Sequence, residues 1–204
     1  MDAIALLEKQ HKEVKALLGK VVETSGQEGA QLLQEITKNL LGHMIIEQEI
    51  FYPAAAKADL KEIDEGYEEH FIAREIINRA MQTKSDKNLF QARCKVLKEL
   101  IEHHADEEEK EMFPTVKKAL GQERLEALGA EMEPLFKSLE ALPLPALARR
   151  AERTEVLADV KKPSGSAAHR KPMRAKKTSH GKKKAQRATR HTSSTKTKTK
   201  TRKA

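Results

Sequence analysis

The 204-residue sequence has no tryptophan, and aromatic residues make up only 3% of it. Its apolar content comes from Leu, Ile, Ala, Val and Met with hardly any alternation of apolar and polar residues, which argues against strands and for helices. The single cysteine, Cys94, excludes an internal disulfide and suits a reducing compartment. No apolar run approaches the roughly 18 residues a membrane span needs. The amphipathic start at Met1-Asp2 has neither the basic nor the apolar stretch of a secretory signal, so a cytoplasmic chain is expected. Acid is missing from one end altogether. Residues 161–204 contain 17 Lys and Arg and no Asp or Glu, and the other 22 of the chain's 39 basic residues face all 31 acidic ones in residues 1–160. The net charge of +8 therefore describes neither part.

Two stretches repeat. His43-Met-Ile-Ile-Glu47 runs on to Phe51-Tyr-Pro53, and His104-Ala-Asp-Glu-Glu108 runs on to Met112-Phe-Pro114. The offset is 61 residues for the His, the Glu and the Pro. Upstream of each copy stand Gln10-His11 and Glu69-His70, 59 residues apart. The first 120 residues or so thus look like a duplicated unit, each copy supplying one His and then a His-x3-Glu pair.

The spacing of apolar residues predicts helices. The first runs from an N-cap at Asp2 to the Ser25-Gly26 break, with Ile4, Leu7, His11, Val14, Leu18 and Val21 on one stripe. The second runs from about Glu28 to Ala56 along Ile36, Leu40, His43, Glu47, Ile50 and Ala54, with a kink expected near Pro53. The third runs from about Asp59 to Thr83 along Ile63, His70, Ile77 and Met81; the small residues Gly66 and Ala73 leave room beside His70. The fourth runs from Ser85 or Asp86 to Ala119 along Phe90, Cys94, Leu97, Ile101, His104, Glu108 and Met112. A rival register through His103 and Glu107 reads as a solvated face. A fifth helix after Gly121 presents Leu125, Leu128, Met132, Leu135, Leu139 and Leu142, with a kink expected at Pro134. The expected fold is all-α: an up-down-up-down four-helix bundle over residues 1–142 with a fifth packing helix, a linker or short helix over 143–160, and a disordered basic C-terminal tail over 161–204. The tail cannot bury enough apolar surface to offset the entropy of ordering it.

His11, His43, Glu47, His70, His104 and Glu108 all stand on stripes that face the core. Counted from the connections at about 1.5 Å per residue, they fall at heights that agree within roughly one helical turn. A lone His on an apolar stripe is usually a satisfied core residue. Two buried carboxylates at one level repel, and an unpaired one costs on the order of several kcal/mol. Four imidazoles and two carboxylates around a pair of cations resolve that conflict, with each Glu placed to bridge ions about 3.5–4 Å apart. The donors are nitrogen and oxygen without thiolate, which suits iron, manganese or zinc.

Over residues 1 to about 140 the chain resembles hemerythrin-like proteins with the HHE cation-binding domain, through His11, His43 to Pro53, Glu69-His70-Phe71 and His103-His104 to Pro114. The resemblance implies a four-helix bundle with a non-haem di-iron centre held by His11, His43, Glu47, His70, His104 and Glu108. Oxygen-carrying hemerythrins have a further His one turn after the third-helix ligand, where this chain has Arg74, read as a salt-bridge residue at the rim. Expected partners are O2 or a related small oxidant at the centre, and nucleic acid at the tail. With no aromatic to stack on bases and no groove-reading element, the tail is expected to neutralise phosphates without sequence preference. A sensing or iron-handling protein ranks above an oxidase, a peroxidase or a nitric-oxide enzyme, because the sequence offers no general acid and no defined substrate pocket. A nucleoid-associated protein with a merely structural bundle is the remaining alternative.

Overall fold

Asp2 has extended backbone angles, and its Oδ1 accepts the amide of Ala5 at 2.9 Å, so the chain turns into helix at once. The computed structural model describes residues 1–58, 61–83 and 85–161, and the expected tail beyond Lys161 lies outside them, as does the expected start of the third helix at Asp59. Among the described residues there are helices and no strands. Helix α1 (Ala3–Val21) buries the whole predicted stripe from Ile4 to Val21. Helix α2 (Gly26–Ile46) begins two residues before the expected start, on a glycine with φ of 66°.

After Ile46 the regular ladder opens. Glu47–Phe51 form a π turn, in which the amide of Tyr52 reaches the Glu47 carbonyl, and the short helix α3 (Tyr52–Ala55) follows. Pro53 is the cause within reach: it has no amide to give the carbonyl four residues back, and its ring crowds that carbonyl. The expected kink therefore takes the form of an extra residue one turn earlier. The second copy repeats the device. Helix α4 (Glu62–Gln82) leads to α5 (Lys87–Glu107), capped by Asp86 Oδ1 on the Leu89 amide at 3.1 Å. A π turn at Glu108–Met112 then precedes Pro114 and helix α6 (Phe113–Glu140). Within α6 the one non-helical residue is Gly121, at φ 76° and ψ 166°, a region open to glycine alone. The backbone breaks there, and Pro134 keeps helical angles.

Helix α1 packs on α2, α5 and α6, α4 packs on α5 and α2, and the apolar stripes of these helices join in one core. Leu125, Leu128, Met132 and Leu139 of α6 seal it, and Cys94 lies inside, its thiol pushed up to about 11 by burial. Residues 144–161 form helix α7 (Leu144–Lys161), which packs on α2 and adds Leu147 and Ala151 to the core. It also changes the reading of Arg74. That residue is buried rather than at a rim, and its Nη1 donates to the Ala151 carbonyl at 3.3 Å. No helix among the described residues is long and apolar enough to cross a membrane.

The room that Gly66 leaves beside His70 is taken by Tyr52: a Cβ at Gly66 would lie 2.7 Å from the Tyr52 hydroxyl. Gly66→Ala is expected to lower stability by about 1–3 kcal/mol in urea denaturation. Adding Tyr52→Phe should recover part of that loss; an equal or larger loss in the double variant would contradict this packing.

Candidate metal centre

The six predicted side chains meet. Helix α1 supplies His11, the last turn of α2 His43, α4 His70 and the end of α5 His104, while Glu47 and Glu108 each open a π turn. None is more than 5% exposed. The donor atoms of His11, His43, Glu47 and Glu108 lie within 4.8 Å of one another, as do those of Glu47, His70 and His104. Glu47 Oε2 is 3.1 Å from His43 Nε2 and 3.3 Å from His70 Nε2. Glu108 Oε2 is 3.3 Å from His11 Nε2 and 3.7 Å from His104 Nε2. Each carboxylate thus stands between the two groups.

The imidazoles face each other in pairs. Nε2 of His11 is 3.2 Å from Nε2 of His43, and Nε2 of His70 is 3.1 Å from Nε2 of His104. Their outer nitrogens show which tautomer this demands. His11 Nδ1 is 2.9 Å from Glu109 Oε1, His43 Nδ1 is 2.8 Å from Gln10 Oε1, and His104 Nδ1 is 2.7 Å from Glu69 Oε2. Those oxygens accept, so each of these Nδ1 atoms carries the proton. A neutral ring protonated there has only a lone pair on Nε2, so the His11–His43 pair sets lone pair against lone pair. His104 presents the same unprotonated Nε2 to His70. The carboxylates are equally unserved. The ring nitrogens are near them but not aimed along a hydrogen bond, so both Glu47 oxygens and Glu108 Oε2 have no donor although they are fully buried. Inward lone pairs, donorless carboxylate oxygens and Nδ1 atoms fixed by outer acceptors fit a bound cation pair.

Without cations, protons must do this work. Burial, and then Glu108, hold the Glu47 carboxyl well above the usual carboxylate range. Burial pushes Glu108 the same way, but His104, His11 and His43 outweigh it and bring that group below the range. The two acids are thus pushed in opposite directions. Burial, joined by the facing His11 and His104 respectively, drives His43 and His70 well below the usual imidazole range. At His11 the burial penalty is outweighed by Glu108 and Glu109, and the group rises.

Sequence reasoning does not find Tyr52 or Phe113 beside this cluster. Tyr52, fully buried, donates its hydroxyl to Glu108 Oε1 at 2.8 Å and stacks on His70 with ring centres 5.7 Å apart. Phe113, 61 residues on, stacks on His11 at 6.0 Å. Tyr67, one turn before His70, packs against Tyr52 at 5.2 Å, and its hydroxyl reaches the Gln48 carbonyl at 3.5 Å. Gln10 and Glu69 are visible in the sequence as the residues that precede His11 and His70, though not as supports for His43 and His104. Glu109 reads only as a charge beside the stripe. His103 is 61% exposed and 3.3 Å from Glu107, at the surface as its own register requires.

These pKa directions have a sign that can be tested. Glu47 is protonated to higher pH in the folded, metal-free chain than in the unfolded one. Its contribution to stability is therefore complete below the ordinary carboxylate range and lost as pH rises. His43 and His70 act oppositely, their contribution being complete above the ordinary imidazole range and lost as pH falls. Glu47→Gln, which keeps the uncharged form, is expected to stabilise the metal-free protein by about 1–3 kcal/mol at pH 8. That advantage should shrink at pH 5. Urea midpoints of chelator-treated protein check this, and a pH-independent difference would contradict it.

The chain matches the family model described as Hemerythrin HHE cation binding domain over residues 2–116, a span that holds all six converging side chains. An uncharacterized protein of Mycobacterium bovis and two of Mycobacterium tuberculosis, from strains CDC 1551 and H37Rv, are each 29% identical to it over 165 residues. The alignment covers 79% of this chain and 99% of each relative. No solved structure matches it. With its converging His and Glu side chains and a match over more than half its length, the chain belongs to the hemerythrin HHE cation-binding domain family.

Proposed function

We propose that this chain holds two iron ions in a non-haem site formed by His11, His43, Glu47, His70, His104 and Glu108, and binds O2 or a related small oxidant there for sensing or iron handling. One observation carries the reading: two pairs of facing imidazole nitrogens enclose two buried carboxylates, three of whose four oxygens lack a donor. Nitrogen and oxygen donors without thiolate suit iron, and manganese or zinc satisfies the same set. In this reading α1, α2, α4 and α5 run up, down, up and down, as their short connections favour. The protein's part is to fix the rings through Glu109, Gln10 and Glu69, to exclude bulk water, and to hold Glu108 by the Tyr52 hydroxyl. Bound iron would supply reversible one-electron chemistry. The test is metal analysis of the purified full-length protein. Two irons per chain are expected, with loss of both in a His104→Ala/Glu108→Ala variant; a metal-free protein that cannot be loaded would overturn the assignment.

A second reading, a di-iron enzyme with oxidase, peroxidase or nitric-oxide chemistry, is favoured by Tyr52. Its hydroxyl is a buried proton donor beside the centre, a group the sequence did not point to. Multiple turnover of hydrogen peroxide or nitric oxide by the iron-loaded protein would select this reading. Stoichiometric reaction alone selects the binding protein.

The same proposal assigns residues 161–204 to nucleic acid, on their 17 cations and no acid, and with it a place on the nucleoid. Truncation after Val160 is expected to abolish binding to duplex DNA. The full chain should bind unrelated sequences alike, losing about 0.9 log units of affinity per phosphate contact for each tenfold rise in salt. Retained affinity in the truncated protein would refute the tail's role.

A further inference from the structure

The two repeats interlock by a rule. Glu47 of the first lies 3.3 Å from His70 of the second, and Glu108 of the second lies 3.3 Å from His11 of the first. Tyr52 stacks on His70, and Phe113 stacks on His11. Within each repeat the residue before the first His supports the second, as Gln10 does for His43 and Glu69 for His104. One pairing has no counterpart. Glu109, next to Glu108, holds Nδ1 of His11 at 2.9 Å. The 61-residue offset places Gln48, next to Glu47, in the same role toward His70. His70 Nδ1 is buried without a partner, and so are both Oε1 and Nε2 of Gln48. The hydroxyl of Tyr67, one turn before His70 on α4, reaches the Gln48 backbone carbonyl at 3.5 Å, so Gln48 stands on the side of its helix that α4 side chains reach.

We propose that Gln48 is the fourth outer support of the centre, its side-chain carbonyl accepting Nδ1–H of His70 so that the ring turns Nε2 inward. The inference rests on the cation site proposed above and deepens it. A buried amide with neither atom paired destabilises the metal-free fold, whereas an acceptor behind a metal-bound imidazole fixes its tautomer and direction. Gln48 is therefore a positioning residue whose side chain serves binding at the expense of the empty fold. The four supports divide evenly. His11 and His104 rest on carboxylates, His43 and His70 on amides, so each facing pair has one of each kind.

The test titrates Fe(II), without oxygen, into full-length wild type, Gln48→Leu, Gln48→Glu and His70→Ala against a chromophoric chelator. Gln48→Leu is expected to hold one of two ions about 10–100-fold more weakly, while its metal-free form is at least as stable as wild type. Gln48→Glu, which keeps an acceptor, should restore both ions. With Zn(II) in place of iron, the His70 Nδ1–H proton should be slowly exchanging in wild type and Gln48→Glu and absent in Gln48→Leu. Wild-type affinity for both ions in Gln48→Leu, with loss of binding in His70→Ala, would overturn the role of Gln48 and leave the cation site standing. Wild-type binding in His70→Ala would overturn both.

Discussion

The structure depends on two carboxylates that have been taken out of water with a hydrogen-bond donor given to only one of their four oxygens. At 4 Å two like charges repel by about 4 kcal/mol at an effective dielectric constant of 20. Burial of Glu47 and Glu108 adds to that, and around them stand four imidazoles, of which His11 and His43 set unprotonated inner nitrogens against each other in the tautomer that their outer partners impose, while His104 presents the same unprotonated nitrogen to His70. Every local cost in this arrangement has the same sign, and positive charge between the side chains removes all of them together. The apolar stripes of α1, α2, α4 and α5 carry the unfavourable cluster within an otherwise continuous core.

Duplication explains why the cluster is closed. Each repeat brings the Nε2 atoms of two His rings together, then lends its Glu and an aromatic ring to the first His of the other repeat. Neither half is a site alone. The π turns belong to this arrangement, since each starts at the buried Glu and ends before the Pro six residues after it. The halves have nonetheless diverged at one point. Tyr52 and Gly66 in the first contact have Phe113 and Leu7 at the equivalent positions, so Glu108 has a hydroxyl donor and Glu47 has none. The two ends of the cluster are chemically unlike although their His and Glu residues match.

The six central residues are legible in the sequence because each breaks the burial pattern of its own helix at a position the stripe requires to be buried, and the repeat offset shows the breaks to be one arrangement. The two N-caps at Asp2 and Asp86 are legible for a similar reason: a short polar side chain stands where a helix must satisfy its first amides. Tyr52 is not. A π turn inserts a residue and rotates the helix beyond it, so a stripe counted at 3.6 residues per turn passes through Ile50 and Ala54 and leaves Tyr52 to one side. Glu109 looks like a surface charge, since its bond to His11 spans two helices distant in sequence. Arg74 reads as a rim residue because the helix that covers it, α7, is rich in charge and shows little apolar pattern of its own.

Anomalous scattering from crystals of the iron-loaded protein, measured at the iron edge, tests the central claim most directly. The account predicts two peaks about 3.5–4 Å apart, both within bonding distance of Glu47 and Glu108, with His11 and His43 on one and His70 and His104 on the other. A single peak, or iron at the exposed group of Glu69, His103 and Glu107 with the interior empty, would contradict it.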